Sequence, residues 1–174
     1  MASLEENFRF IGYYNVNPFL EKLNLLDWNE YTNRQKIRPG MEETFTVPLH
    51  WNERFLDITK WSAASLFEKQ IIELEEIMEH LFGPGVMKTC VLTKIPAKKS
   101  IALHFDCGPF FKKSHRVHIP ITTNDNVIFV IDKEEKNLKV GEMWEINNVD
   151  YLHGVFNNGD TDRIHLMVDW QFEV

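Results

Sequence analysis

The hydrophobic pattern of the chain changes character at Gly83-Pro84-Gly85. Before that point apolar residues recur at helical spacing. In 62–82, Phe67, Ile71, Leu74, Met78 and Leu81 follow steps of four and three, which places them along one helix face, and the Gly-Pro-Gly run then stops the helix. Such a stripe is a buried face and is assigned no chemistry. Farther upstream, 18–31 opens with Asn17 and Pro18, a cap and first-turn pair, and sets Phe19, Leu23 and Leu26 at the same spacing, which predicts a second helix. After the break, short runs rich in Val, Ile, Thr and Phe alternate with turn residues: "VMKTCVLTKI", "SIALHFD", "HRVHIPI", "VIFVID", "GEMWEI" and "RIHLMVDW". Six such runs without a helix-length insert predict an antiparallel sandwich or barrel rather than alternating α/β. The segment 42–51, "EETFTVPLHW", adds one or two strands. The expected fold is mainly β, a double-sheet jelly roll with helices packed on its outside. One domain over 1–174 is expected, with helical N-terminal support over about 1–85 and the jelly-roll core over about 86–174.

Composition narrows the class of protein. At 174 residues the chain can bury a real core, and 44% apolar with 13% aromatic residues is enough to keep it folded throughout. A formal charge of −7 without a long Lys/Arg run argues against nucleic acid as the main partner. No hydrophobic run has the length of a membrane span, and "MASLEENFRF" lacks the basic and apolar regions of a secretory signal. With only Cys90 and Cys107, a reducing, cytoplasmic setting is expected.

Chemistry concentrates after the break. On a strand, His104 and Asp106 point to one face and Phe105 to the other, so an imidazole and a carboxylate converge. Alone, such a pair is either half a metal site or a hydrogen-bonded polar pair at a strand end. In 149–170, His153 precedes "NNGD", which reads as a hairpin loop. With a three-residue loop at 157–159, His153 and Arg163 face each other across the pair, a ligand beside a cation. In "HRVHIPI", alternation puts Arg116 and His118 on one face and His115 with Val117 on the other. Two histidines and a carboxylate with open metal positions form the facial triad of non-haem Fe(II) oxygenases, and a nearby arginine suits a dicarboxylate cosubstrate.

The run from about Val91 to Trp170 resembles the aspartyl/asparaginyl β-hydroxylase-like family of 2-oxoglutarate and Fe(II) dependent oxygenases. The resemblance is carried by "LTKIPAKKSIALHFD", "HRVHIPI", "GEMWEINNVDYLHGVFN" and "DRIHLMVDW", with the arginine ten residues after the distal histidine. It implies a double-stranded β-helix (cupin-like) core in which His104, Asp106 and His153 bind Fe(II) and Arg163 pairs with the distal carboxylate of 2-oxoglutarate. It further implies that Thr93 hydrogen-bonds that carboxylate and that His118 contacts the other end of the cosubstrate. Arg116 would lie beside His118, against cosubstrate or substrate. The implied reaction decarboxylates 2-oxoglutarate to succinate and CO₂ while O₂ hydroxylates an amino acid, free or within a peptide or protein, of aspartyl/asparaginyl or prolyl type. Asp106 is a departure from the animal members that bind iron through two histidines alone, and resembles bacterial relatives that hydroxylate free amino acids.

Substrate choice is expected from 31–44, where Arg34, Lys36 and Arg38 either meet a substrate carboxylate or are simply solvated, and from the "CGPFFKKSH" loop. Trp51 and Trp61 are expected in the core, and His50, His80 and His165 are taken as structural. Two other functions fit the same residues: a cupin-like metalloenzyme that does not use 2-oxoglutarate, and a non-catalytic jelly-roll domain that binds 2-oxoglutarate or metal.

Overall fold

All six predicted runs form strands in the computed structural model, which describes residues 5–31, 40–51, 62–106, 108 and 110–172. In chain order the elements are β1 (Phe8–Tyr13), α1 (Asn17–Leu20), β2 (Phe45–Trp51), α2 (Glu68–Phe82), β3 (Gly85–Ile95), β4 (Ser100–His104), β5 (Ser114–Thr122), β6 (Val127–Ile131), β7 (Glu134–Lys136), β8 (Glu142–Ile146), β9 (His153–Asn157) and β10 (Arg163–Phe172). They build a six-stranded sheet ordered β1-β8-β5-β10-β3-β2 and a four-stranded sheet ordered β4-β9-β6-β7. Every pairing in both sheets is antiparallel.

Strand alternation sorts the large sheet into two faces. Cys90 and Leu92 on β3, Val117 and Ile119 on β5, and Leu166 and Val168 on β10 pack with Phe19, Phe67, Leu74 and Met78 of the helical layer. Each such side chain, fully buried, contributes on the order of 1.5–3 kcal/mol. A second core of Phe8, Ile95, Val127, Phe129, Ile131, Ile146 and Val155 joins strands of the two sheets. Helix α2 keeps the predicted stripe: Phe67, Leu74 and Met78 are buried, Ile71 is half-buried, and Leu81 at its end is exposed. Gly83, at φ +83°, ends the helix and donates its N–H to the Glu79 carbonyl at 2.8 Å, a conformation that favours glycine.

Three sequence expectations are corrected. The helix predicted over 18–31 ends at Leu20 and is followed only by a 3₁₀ turn at Leu23–Leu25. Side-chain turns compete with the helix there, since Asp27 Oδ1 accepts the Asn29 N–H at 2.9 Å. Strands β1 and β7 were not expected; β1 is a bulged edge strand whose register shifts between Phe10 and Gly12. Most consequential, the "NNGD" turn does not close a hairpin. Strand β9 pairs with β4 and β6 in the small sheet, whereas β10 pairs with β3 and β5 in the large one. The Asn157 amide donates to the carbonyls of Ile95 (3.1 Å), Pro96 (3.0 Å) and Thr161 (2.9 Å), which ties this turn to the end of β3. Residues 158–162 thus carry the chain from one sheet to the other.

Candidate active site

The inner face of the large sheet is polar where its outer face is apolar. Thr93 on β3, Arg116 and His118 on β5, and Arg163, His165 and Asp169 on β10 are all buried. They alternate with the apolar residues that face the helices, as a period of two requires. Across from them, β4 and β9 of the small sheet place His104 directly opposite His153. The two rings lie 4.3 Å apart between centroids. Gly154 makes this approach possible: a Cβ there would sit 2.9 Å from the Ile101 carbonyl oxygen and 3.2 Å from the Ala102 carbonyl carbon.

Strand β4 ends at His104, so Asp106 is delivered by the following turn rather than by the strand alternation expected from the sequence. Its backbone N–H bonds the Asn148 carbonyl at 3.3 Å. The outcome is the expected convergence: His104, Asp106 and His153 each offer a ligand atom, all within 4.8 Å of one another. The protonation states suit a divalent cation. A carbonyl only accepts, so the contact of His104 Nδ1 with the Ala102 oxygen at 2.8 Å puts a proton on Nδ1 and leaves Nε2 as the nitrogen that can face a metal. Burial of Asp106 would raise its pKa, but the Arg116 guanidinium and a hydrogen bond from Asn148 more than offset this, and the carboxyl lies well below its usual range. Burial pushes His153 down to about 4, so its ring is neutral at pH 7. Two imidazoles, that of His153 held neutral by burial, and one carboxylate are a donor set for Fe(II) or a similar ion, with coordination positions left open.

Arg163 is the second notable feature. It is 1% exposed, and its Nη2 donates to His165 Nδ1 at 2.6 Å, while its Nε has no partner. Among the described residues no carboxylate pairs with it. Burial pushes its pKa down to about 9, which still leaves it cationic at neutral pH. Burial, with the Arg163 charge second, holds both His118 and His165 well below the ordinary histidine value. One cavity between the sheets is lined by Thr93, His104, His118, His153 and Arg163, with Ile101, Phe129, Val155 and Met167 as apolar wall. His153 and Arg163 therefore share a cavity as the sequence suggested, but from opposite sheets rather than across a hairpin.

Arg116 is not among the residues that line the cavity. It makes a two-pronged pair with Asp169, Nε to Oδ1 at 2.7 Å and Nη2 to Oδ2 at 2.8 Å, and its Nη1 donates to Asp106 Oδ2. Asn148 donates to the same oxygen at 2.8 Å. The site also contains His165, which the sequence pattern assigned a structural place, and Asp169 and Asn148, which it did not single out. His165 and Asp169 share the parity of Arg163 on β10, a signal present in "RIHLMVD"; Asn148 lies in a loop, and nothing in its sequence context marks it. His115, expected on the other face of β5, is there, bonded to Glu145 at 2.5 Å and stacked on Phe82 of α2. Trp51 is buried against Tyr31, Val91 and Met167, as expected of a core residue. Arg34, Lys36, Arg38, Trp61 and Cys107 lie outside the described residues.

The family model of the aspartyl/asparaginyl β-hydroxylases matches residues 19–171, most of the chain. The chain belongs to the aspartyl/asparaginyl β-hydroxylase family. No curated protein matches it. Solved structures share the fold of this family member at low identity. A 2OG-Fe(II) oxygenase family oxidoreductase from Burkholderia pseudomallei aligns with TM-score 0.63 and 14% identity over 96% of this chain and 85% of that one. A prolyl-4-hydroxylase from Pseudomonas putida aligns with TM-score 0.61 and 11% identity over 98% and 95%. HygX from Streptomyces hygroscopicus, solved with nickel, 2-oxoglutarate and hygromycin B, aligns with TM-score 0.63 and 12% identity over 95% and 83%. The jelly-roll core of this hydroxylase-family chain is thus the double-stranded β-helix expected from its strand pattern.

Proposed function

We propose that the protein is a 2-oxoglutarate and Fe(II) dependent dioxygenase that hydroxylates an amino acid, free or as a residue of a peptide or protein, of aspartyl/asparaginyl or prolyl type. The observation that carries this reading is Arg163, a buried cation without a carboxylate partner among the described residues, in the same cavity as a two-histidine, one-carboxylate cluster. A buried unpaired charge is costly unless a ligand completes it. A dicarboxylate that reaches both the metal and Arg163 does so.

Fe(II) held by His104, Asp106 and His153, together with 2-oxoglutarate, would supply oxidative chemistry in which cosubstrate decarboxylation to succinate and CO₂ is coupled to O₂-dependent C–H hydroxylation. The chain's own part is positional. Arg163 takes the distal carboxylate of 2-oxoglutarate, helped by the Thr93 hydroxyl, and His118 donates to the other end. His118 stays neutral because burial and Arg163 disfavour its protonation, so it offers one N–H and no second positive charge. Phe129, Ile101, Val155 and Met167 keep water from the cosubstrate. The same reading takes the substrate as a small molecule or polypeptide and the setting as cytoplasmic, without nucleic acid or membrane as partner. It is supported by the acidic net charge and the buried free thiol of Cys90; no described helix is long and apolar enough to cross a membrane. A cupin-like enzyme that does without 2-oxoglutarate leaves Arg163 unexplained.

Anaerobic reconstitution with Fe(II) and 2-oxoglutarate tests the proposal. The expected result is the weak visible charge-transfer band of the chelate, lost in His104→Ala and Arg163→Ala, followed by succinate release in air with an amino-acid and peptide panel. No band in intact protein, with both variants behaving like wild type, would sink the oxygenase assignment. A band without turnover on any substrate would instead favour a ligand-binding domain.

A further inference from the structure

We propose that Asp169 and Arg116 are positioning residues for the metal-binding carboxylate: Asp169 holds and neutralises the Arg116 guanidinium, so that Arg116 orients Asp106 without adding net positive charge beside the metal. This rests on the metal site described above and gives Arg116 a different role from the cosubstrate or substrate contact that family resemblance implies.

The arrangement follows from strand register. Asp169 on β10 and Arg116 on β5 are cross-strand neighbours on the inner face of the large sheet. Their planar groups meet through two parallel bonds of 2.7 and 2.8 Å, the geometry in which an arginine is most firmly fixed. The pair is almost wholly buried, at 6% and 1% exposure, and the Phe111 ring covers the guanidinium at 4.9 Å. With Nε and Nη2 committed to Asp169, Nη1 is aimed at Asp106, and Asn148 bonds the same carboxylate oxygen from the other side of the loop. A side chain on a turn, which the β4 ladder does not hold, is thereby fixed by two donors.

Charge decides why Asp169 is needed. One guanidinium lies between two carboxylates. When Asp106 turns its charge to a divalent cation, Arg116 still has Asp169, and the new cation does not face a bare buried guanidinium. If Asp169 lost its charge, Arg116 would have Asp106 alone and would compete with the metal for it.

Ni(II) titration of the metal-free protein by calorimetry, followed by 2-oxoglutarate titration of the nickel-loaded protein, tests this. Asp169→Asn is expected to weaken Ni(II) binding by about 10–100-fold, the usual effect of losing a partner behind a metal ligand. The double variant Arg116→Gln/Asp169→Asn, which removes the competing cation but also the donor that orients Asp106, is expected to regain part of the loss, binding Ni(II) at least about threefold more tightly than Asp169→Asn and still below wild type, a coupling that a purely structural pair would not give. Arg116→Gln should bind 2-oxoglutarate within about twofold of wild type, since its guanidinium is committed to the two carboxylates. The proposal is overturned if Asp169→Asn binds Ni(II) like wild type, if the double variant is no better than Asp169→Asn, or if Arg116→Gln loses 2-oxoglutarate affinity tenfold or more. Should circular dichroism show Asp169→Asn unfolded, Arg116→Gln decides: Ni(II) affinity within about threefold of wild type, or a tenfold loss of 2-oxoglutarate affinity, overturns the proposal. Wild-type protein that binds no Ni(II), or His104→Ala that binds it equally well, overturns the metal site itself and not this pair alone.

Discussion

Replacing Arg163 by methionine should stabilise the free protein and at the same time cost it 2-oxoglutarate. The fall of the Arg163 pKa on burial, from the ordinary guanidinium value down to about 9, corresponds at 1.36 kcal/mol per pH unit to a penalty on the order of 5 kcal/mol for keeping the charge inside. The hydrogen bond to His165 offsets about 1.5–3 kcal/mol of that, the contribution of bonds to charged groups. Methionine fills much of the arginine stem volume without the charge, so Arg163→Met is expected to gain about 1–3 kcal/mol in the unliganded state. For a chain of this size that raises Tm by roughly 3–10 °C. Loss of the cation facing a buried carboxylate costs about 3–5 kcal/mol of binding, or roughly 10²–10⁴-fold in 2-oxoglutarate affinity. The assay is thermal unfolding of nickel-loaded wild type and variant across a 2-oxoglutarate titration, with calorimetry for Kd. Wild type should gain Tm with 2-oxoglutarate, and Arg163→Met should start higher and stay flat. A variant that melts below wild type and still binds 2-oxoglutarate with native affinity would refute both the unpaired-cation account and the role given to Arg163.

Three further outcomes are expected. His165→Phe removes the acceptor that holds Arg163 Nη2, so 2-oxoglutarate affinity should fall by about tenfold, the size of one hydrogen bond to a charged group, with Ni(II) affinity intact by calorimetry. Gly154→Ala drives a methyl against the β4 backbone and should lower stability by about 1–3 kcal/mol and weaken Ni(II) binding, because separating β4 from β9 separates His104 from His153; equal urea midpoints would contradict the close-packing argument. The metal-free protein should lose stability as pH falls: burial lowers His118, His165 and His153, the last to about 4, so the unfolded chain takes up protons first, near 6.5, and the folded state does not follow until far lower. Stability is then full above about 6.5 and declines toward 4, at most by about 4 kcal/mol per pH unit for three protons, and a urea midpoint unchanged between pH 7.5 and 5 would rule this out.

The strand pattern was legible because each run in the second half carries its own period-two signal and is bounded by turn residues. Helix α2 was legible for the corresponding reason, an uninterrupted stripe from Phe67 to Met78 ended by Gly83. The segment after Asn17 was not, because apolar spacing was weighed without the Asp and Asn side chains that bond the local backbone and compete with the helix. Strand β1 escaped notice since "FRFIGY" is short, bulged at Gly12, and has an exposed edge that needs no strict alternation.

At the site, the structure brings the sequence-predicted residues together, but His153 and Arg163 meet otherwise than the sequence pattern predicts. His104 and His153 are cross-strand partners, and that contact belongs to one sheet. Arg163 joins them only because the two sheets close on each other, a long-range fact with no signature in "NNGD", whose local chemistry fits a hairpin as well as a crossover. What does distinguish the two is the make-up of β10. A hairpin arm at the edge of a small sheet would tolerate polar residues on an open face, but here Arg163, His165 and Asp169 alternate with Ile164, Leu166 and Val168, and all six are buried. A strand buried on both faces, with one face cationic and acidic in turn, must pair its charges internally or through a ligand. Asp169 finds Arg116; Arg163 finds only a neutral histidine. On the proposed function the crossover matters because it places the one unpaired cation of that strand among the described residues on the same cavity as a cluster that could hold a metal, where a single dianionic ligand can satisfy both.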